Sequence, residues 1–261
     1  MLLRKDGPGV IAIPQPSHAW LSGQLARAWG NERFAEPDPH EGVCLAAEQH
    51  DIAWHSWEMA PALDLETGLP QEFSKVPSKA HIALWRDGVR RATSFGCYPA
   101  LLVSLHADTI YARYFNFNKV TQEDSEAVRE FLDEQHRFQT RITASLHASP
   151  EVGVQASPDH IKHNQALVAA LDWMSLEICW GVTREKKIPG VPVVWGSTEA
   201  ISLCPRGGLD LIADPWPFRE AYLEVKAEGK RLSGRFKTQA ELQRALDEAE
   251  PVFVIATLHR A

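Results

Sequence analysis

The chain has 261 residues, 44% of them hydrophobic and 23% charged, with a formal net charge of -7. That is enough apolar material for one large domain or a domain with an appendage. The negative balance argues against a nucleic-acid partner held through phosphate neutralisation. It leaves room for a small anionic substrate, because a bound metal can reverse the local field. Cys44, Cys97, Cys179 and Cys204 form no CxxC pair and read as reduced thiols, mostly buried. The opening residues lack the apolar core of a signal peptide, and no apolar run reaches the roughly 18 residues of a membrane span. The expectation is a soluble, cytoplasmic protein with no membrane partner.

In chain order, residues 1–14 read as an extended lead-in, with a turn at Gly7-Pro8-Gly9 and a short strand over 10–13. Pro14 and Pro16 interrupt regular structure, Ser17 can cap a helix over 17–29, and Gly30 ends it. A loop rich in Pro, Asp and His leads to a second helix over 42–57. The irregular stretch 61–78, with Asp64, Gly68, Pro70 and Pro77, is long enough to be a lid or binding loop. Helices follow over 79–94, 98–113, 122–147 and 158–180, the third of these opened by a capping box at Thr121 to Asp124. After Gly181 the composition shifts to short β-like runs at 191–195, 200–203, 209–213, 221–225 and 231–236. A helix over 238–248 and a strand over 252–258 complete the chain. The predicted fold is mainly α, a helical bundle over 1–181, with a smaller, mostly-β α+β extension over 182–261 packed on it.

The adjacent pair His50-Asp51 stands out in the apolar run 45–54. Burying an aspartate and a histidine there is costly unless something pairs with them, and imidazole with carboxylate suits Fe, Mn or Zn. The candidate ligands in chain order are His18, His50, Asp51, His81, His106 and Asp172. They fall on five predicted helices, and inward-facing His and carboxylate groups are a common way to build a metal site in a bundle. His55 lies one turn from Asp51 on the same face and could replace one of the six. His160 and His163 read as a solvated helix entrance, and His136 and His147 as surface. Several of the nine tryptophans, Trp20, Trp54, Trp57, Trp85 and Trp173 among them, flank these histidines. They are core residues or the wall of a dry ligand pocket.

The ordered pattern H…HD…H…H…D resembles the HD superfamily of metal-dependent hydrolases, in particular its dinuclear branch. The run His50-Asp51-Ile52-Ala53-Trp54 is similar to that superfamily's HDIGK helix, with Ala for Gly and Trp for Lys. Three runs, 14–30, 48–54 and 171–179, also resemble an uncharacterised bacterial family of domains of unknown function. The HD resemblance implies one or two divalent ions (Fe, Mn or Zn). His18, His50, Asp51 and Asp172 would hold the first. Asp51 would bridge to a second held by His81 and His106, and Asp51 and Asp172 would be the catalytic carboxylates.

The function expected on this reading is hydrolysis of a small-molecule or nucleotide phosphoester by a metal-activated hydroxide. Arg86, Arg90 and Lys79 are candidate contacts for an anionic substrate, although the simpler account of them is a solvated basic face balancing Asp87 and neighbouring acids. Glu48, one turn before the pair, and Trp54 would stand behind the ligands. Two alternatives remain open: a di-iron oxygenase of the HD type acting on a small organic substrate, and a binding module without catalysis.

Overall fold

The computed structural model describes residues 1–193 and 196–261. The first residues form a hairpin, β1 (Leu2–Asp6) and β2 (Gly9–Ile13), turned at Gly7, whose φ of 55° suits glycine. Helix α1 (Gln15–Ala28) follows, with a proline in its first turn, where a missing N–H costs nothing. Then come α2 (His40–Gln49), the short α3 (Trp54–Glu58) and two short strands of the long loop, β3 (Leu63–Asp64) and β4 (Leu69–Pro70). Four long helices make up the middle: α4 (Ser78–Ala92), α5 (Cys97–Tyr114), α6 (Gln122–His147) and α7 (Pro158–Trp180). Thr121 caps α6 by accepting from the Asp124 N–H, and Gly181, at φ 97°, ends α7.

The last third supplies β5 (Lys186–Pro192), β6 (Thr198–Gly207), β7 (Asp210–Asp214), β8 (Tyr222–Leu232), α8 (Gln239–Glu248) and β9 (Pro251–Arg260). Of the strand expected over 191–195, its last two residues lie outside the described residues. The expected helix over 238–248 and strand over 252–258 correspond to α8 and β9.

The expectation of a mainly helical bundle with a small C-terminal extension is overturned. Seven strands form one curled sheet, a half-barrel, in the order β1-β2-β8-β9-β7-β6-β5. All neighbours are antiparallel except β7 with β9. Two of the seven strands come from the first thirteen residues, and β2 joins β8 through Val10 opposite Leu232 and Ala12 opposite Lys230. The sheet also shares its core with the helices. Leu2 and Ile13 of the hairpin, Leu21 and Leu25 of α1, Leu171 and Ile178 of α7, and Val225 and Leu258 of the sheet belong to one buried cluster. At ~25 cal/mol per Å² of apolar surface, such shared burial is what binds sheet and helices into one body.

Two further clusters complete the packing. Ile82, Trp85 and Val89 of α4 meet Val103 of α5 and Val128 and Phe131 of α6. Leu242 and Leu246 of α8 cover Ala12 and Leu232. Arg4 of β1 donates to the Ile178 and Cys179 carbonyls, tying the hairpin to the C-terminal end of α7, where a cation is favoured. Trp29, at the end of α1, packs edge-on against Phe34 and Phe218.

The helix expected over 42–57 is broken. Helix α2 ends at Gln49 with His50 as its C-cap, and i→i−3 bonds from Ile52 to Gln49 and from Trp54 to Asp51 carry the chain through a turn into α3. The His50 ring reinforces the break by donating from Nδ1 to the Ala47 carbonyl at 2.8 Å, a local bond that competes with the helical ladder. His50 and Asp51 therefore sit at a helix end, which frees both side chains to turn toward α1 and α7.

Candidate metal centre

Five polar side chains converge where α1, the end of α2, α5 and α7 meet. His18 lies in the first turn of α1, His50-Asp51 at the break after α2, His106 midway along α5 and Asp172 midway along α7. All five are buried. Donor atoms of His18, His50 and Asp51 lie within 4.8 Å of one another, as do those of His50, His106 and Asp172. Asp172 spans the group, with Oδ1 3.4 Å from His50 Nε2 and Oδ2 3.4 Å from His106 Nε2.

The orientation of each ring follows from its outer partner. His50 donates from Nδ1 to Ala47, so Nε2 is the nitrogen that faces the carboxylates, and it has no hydrogen-bond partner among the described residues. His18 is held at both ends, with Nδ1 2.8 Å from Ser175 Oγ and Nε2 2.9 Å from Asp51 Oδ2. Ser22 donates to Ser175 Oγ at 2.9 Å, and Ser175 donates to the Asp172 carbonyl at 2.8 Å. A histidine ligand whose far nitrogen is anchored this way is fixed in ring orientation. His106 Nδ1 is buried without a hydrogen-bond partner among the described residues.

Two buried carboxylates dominate the field. Burial raises the pKa of Asp172, but His106 and His50 more than reverse this and hold it well below the usual carboxylate range. Asp51 is likewise lowered: burial opposes its charge, and His50 and His18 restore it. Burial disfavours a charged His50, yet Asp51 and Asp172 together raise its pKa to about 9. The cluster thus requires a positive charge, either a proton on His50 or a cation among the donors. Three imidazoles and two carboxylates, with His50 Nε2 making no hydrogen bond among the described residues, fit a divalent ion of the Mn, Fe or Zn type.

The cluster forms part of the lining of a cavity of about 830 Å³, within the usual range for small-molecule sites. Eight aromatic side chains line it among the described residues, including Trp54, Trp85, Tyr111 and Trp173. The long loop supplies Phe73, Ser74 and Val76, and Phe73 stacks on Trp180 of α7 with ring centroids 6.2 Å apart. That loop is therefore a wall of the cavity.

The remaining sequence candidates lie elsewhere. His81 lines the cavity but belongs to neither donor group. Its Nδ1 is 3.1 Å from the Tyr111 hydroxyl, and its Nε2 accepts from Trp85 Nε1 at 3.3 Å. Burial lowers the pKa of His81 and raises that of Tyr111, so both are neutral near pH 7. Arg86, Arg90 and Lys79 are absent from the cavity lining and engage Glu134, Asp87 and Glu123 at the surface. Glu48 pairs with Arg27, also outside the cavity, while Trp54 is in its wall. His55 is exposed, and neither His160 nor His163 lines the cavity.

Sequence reasoning passed over Ser22, Ser175, Tyr111, Gln15 and Lys119. Ser22 lies one turn after His18 and Ser175 three residues after Asp172, so helical spacing places each on its ligand's face. That spacing was the available signal. Gln15, whose buried Oε1 has no hydrogen-bond partner among the described residues, and Lys119 carried none.

Among the described residues, no helix is long and apolar enough to cross a membrane. No curated protein and no solved structure matches the chain. A family model described as a protein of unknown function, DUF3891, matches residues 1–234, from β1 to the loop after β8, and so takes in every donor of the cluster. The chain belongs to the DUF3891 family.

Proposed function

We propose that this protein is a metal-dependent hydrolase of a small-molecule phosphoester. The observation that carries the reading is the convergence of five buried imidazole and carboxylate groups at a small-molecule cavity, with His50 Nε2 facing Asp51 and Asp172 and making no hydrogen bond among the described residues. The succession of His18, His50-Asp51, His106 and Asp172 along helices supports kinship with the HD superfamily. His18, His50, Asp51, His106 and Asp172 would hold one or two divalent ions. When bound, such an ion polarises a phosphoryl oxygen and acidifies water.

The chain's own residues do the rest. Ser175 and Ser22 hold His18, His18 aligns Asp51, and the Ala47 carbonyl fixes the His50 ring. The aromatic wall excludes water and strengthens every charge interaction at the cluster.

A second reading, oxygenation of an organic substrate by the same donors carrying iron, is favoured by the scarcity of cations in the wall. Lys119 is the one lysine or arginine lining the cavity among the described residues.

The test is elemental analysis of the purified protein beside a His50→Ala, Asp51→Ala double variant, with phosphate release and O₂ uptake assayed in parallel. One to two equivalents of Mn or Zn, lost in the variant, with phosphate release from an ester, is the expected result. Iron with substrate-dependent O₂ uptake moves the conclusion to the second reading. Folded protein that takes up no Mn, Fe or Zn overturns both and leaves a binding module.

A further inference from the structure

The cavity's wall carries information about the substrate that its donor cluster does not. Resting on the hydrolase reading, we propose that the substrate is an ester whose non-reacting part is a flat, apolar ring, and that polyphosphate nucleotides are excluded. Aromatic faces begin directly beside the donors. The ring centroid of Trp85 is 5.8 Å from that of the donor His106, and Trp54, 5.9 Å from His81, and Trp173 continue the same cavity wall. A group esterified to a phosphate at the cluster would lie among these rings. Flat rings of this kind gain from aromatic packing beyond their buried area.

Charge points the same way. A polyphosphate needs several cations or backbone N–H groups to offset its charge. The wall offers Lys119 alone among the described residues, against the carboxylates of Asp51, Asp172 and Glu177. The Glu177 charge is offset by Lys186 at 2.8 Å. One or two divalent ions and one lysine would suit a phosphate monoester of low charge. They do not suit a nucleoside triphosphate.

One polar feature refines the ring. An indole N–H can only donate, so the bond from Trp85 makes His81 Nε2 the acceptor, and its Nδ1–H must point to the Tyr111 oxygen. The phenol proton of Tyr111 is then left for another acceptor. The ring would carry that acceptor, such as a ring nitrogen or a carbonyl, on the side facing Tyr111.

Calorimetric titration of Mn²⁺-loaded protein with 1-naphthyl phosphate, methyl phosphate and ATP tests this, with phosphate release followed separately. Naphthyl phosphate should bind at least tenfold more tightly than either of the others. Trp173→Ala should cut its advantage over methyl phosphate at least fivefold, and Trp54→Leu serves the same purpose if that variant fails to fold. Quinolin-8-yl phosphate, which adds a ring nitrogen, should bind more tightly than naphthyl phosphate, with the gain lost in Tyr111→Phe. Equal or tighter binding of methyl phosphate or ATP overturns the proposal, even where phosphate is released and the hydrolase reading stands. Aryl selectivity with no release from any ester sinks the hydrolase reading and leaves the ligand class in place.

Discussion

Stripping metal from the protein and raising the pH should weaken its fold in a window that His50 sets. In the metal-free chain His50 carries a proton: burial opposes the charge, and Asp51 and Asp172 overcome that, raising its pKa from 6.5 to about 9. A group that holds its proton more tightly when folded adds stability that is complete below its unfolded pKa. That stability is lost as pH rises through the folded value. At ~1.4 kcal/mol for each tenfold change in proton affinity, the difference is on the order of 3 kcal/mol.

The other shifted histidines and cysteines act outside the window. His163 is lowered to about 4, by burial first and then by His160, and burial also lowers His81, so both cost stability only as pH falls below 6.5. Burial raises Cys44 to about 11 and Cys179 to about 12, so these matter above pH 9. In EDTA, the urea midpoint should therefore fall between pH 6.5 and pH 9. With an m-value of ~3 kcal/mol/M the drop is roughly 1 M. Asp172→Asn should shrink it. With excess Mn²⁺ the trend should reverse, because protons no longer compete for His50. A midpoint in EDTA that is flat or rising across this range, or an undiminished drop in Asp172→Asn, would refute the account of the cluster as a site that needs one positive charge.

Three further outcomes are expected. Ser175→Ala removes the partner of His18 Nδ1 and should weaken Mn²⁺ affinity about 10- to 100-fold in a competition titration, the usual cost of losing an outer partner; unchanged affinity would mean that His18 needs no support. Gly229→Ala places a Cβ 2.7 Å from Ile11 Cγ2 and 2.9 Å from the Ala12 carbonyl, where β2 crosses β8, and should cost about 1–3 kcal/mol in thermal unfolding. A wild-type melting temperature would show that the hairpin does not sit on the sheet as described. Arg86→Ala breaks a half-exposed pair with Glu134 and a cation–π contact with Phe131, both away from the cavity lining, so turnover should stay within about twofold of wild type. A tenfold loss at unchanged stability would put Arg86 at the substrate after all.

The cluster was largely legible because metal-type side chains in apolar helices are conspicuous: five of the six residues singled out in the sequence lie in the two donor groups. His81 separates from them through Trp85, its i+4 neighbour on α4, and through Tyr111 of α5, the second a contact that depends on how α4 meets α5 and that one sequence cannot display. The basic residues of α4 are instructive in another way. Ile82, Trp85 and Val89 mark its buried face at helical spacing, and Arg86 and Arg90 fall off that face. Charge alone made them candidates, and the periodicity already pointed them outward. The break after α2 left no such trace, since no Gly or Pro falls between His50 and Ala53. The fold was misjudged at its two ends together. The lead-in strand was visible, but its partner β8 lies more than two hundred residues further on, and nothing local links Ala12 to Lys230.

That pairing has a consequence for how the protein is made. During synthesis β2 emerges before α1 to α7 and must wait for β8, so its outer edge is open while those helices are being built. Contacts spanning most of a chain are slow to form, and unpaired edges invite association with other chains. Arg4, which can reach the end of α7 before β8 exists, offers an early mooring for the hairpin. Ribosome-bound chains arrested just before β8 should be the most aggregation-prone lengths of this protein, and those arrested after it the first to resist protease at the N-terminal hairpin.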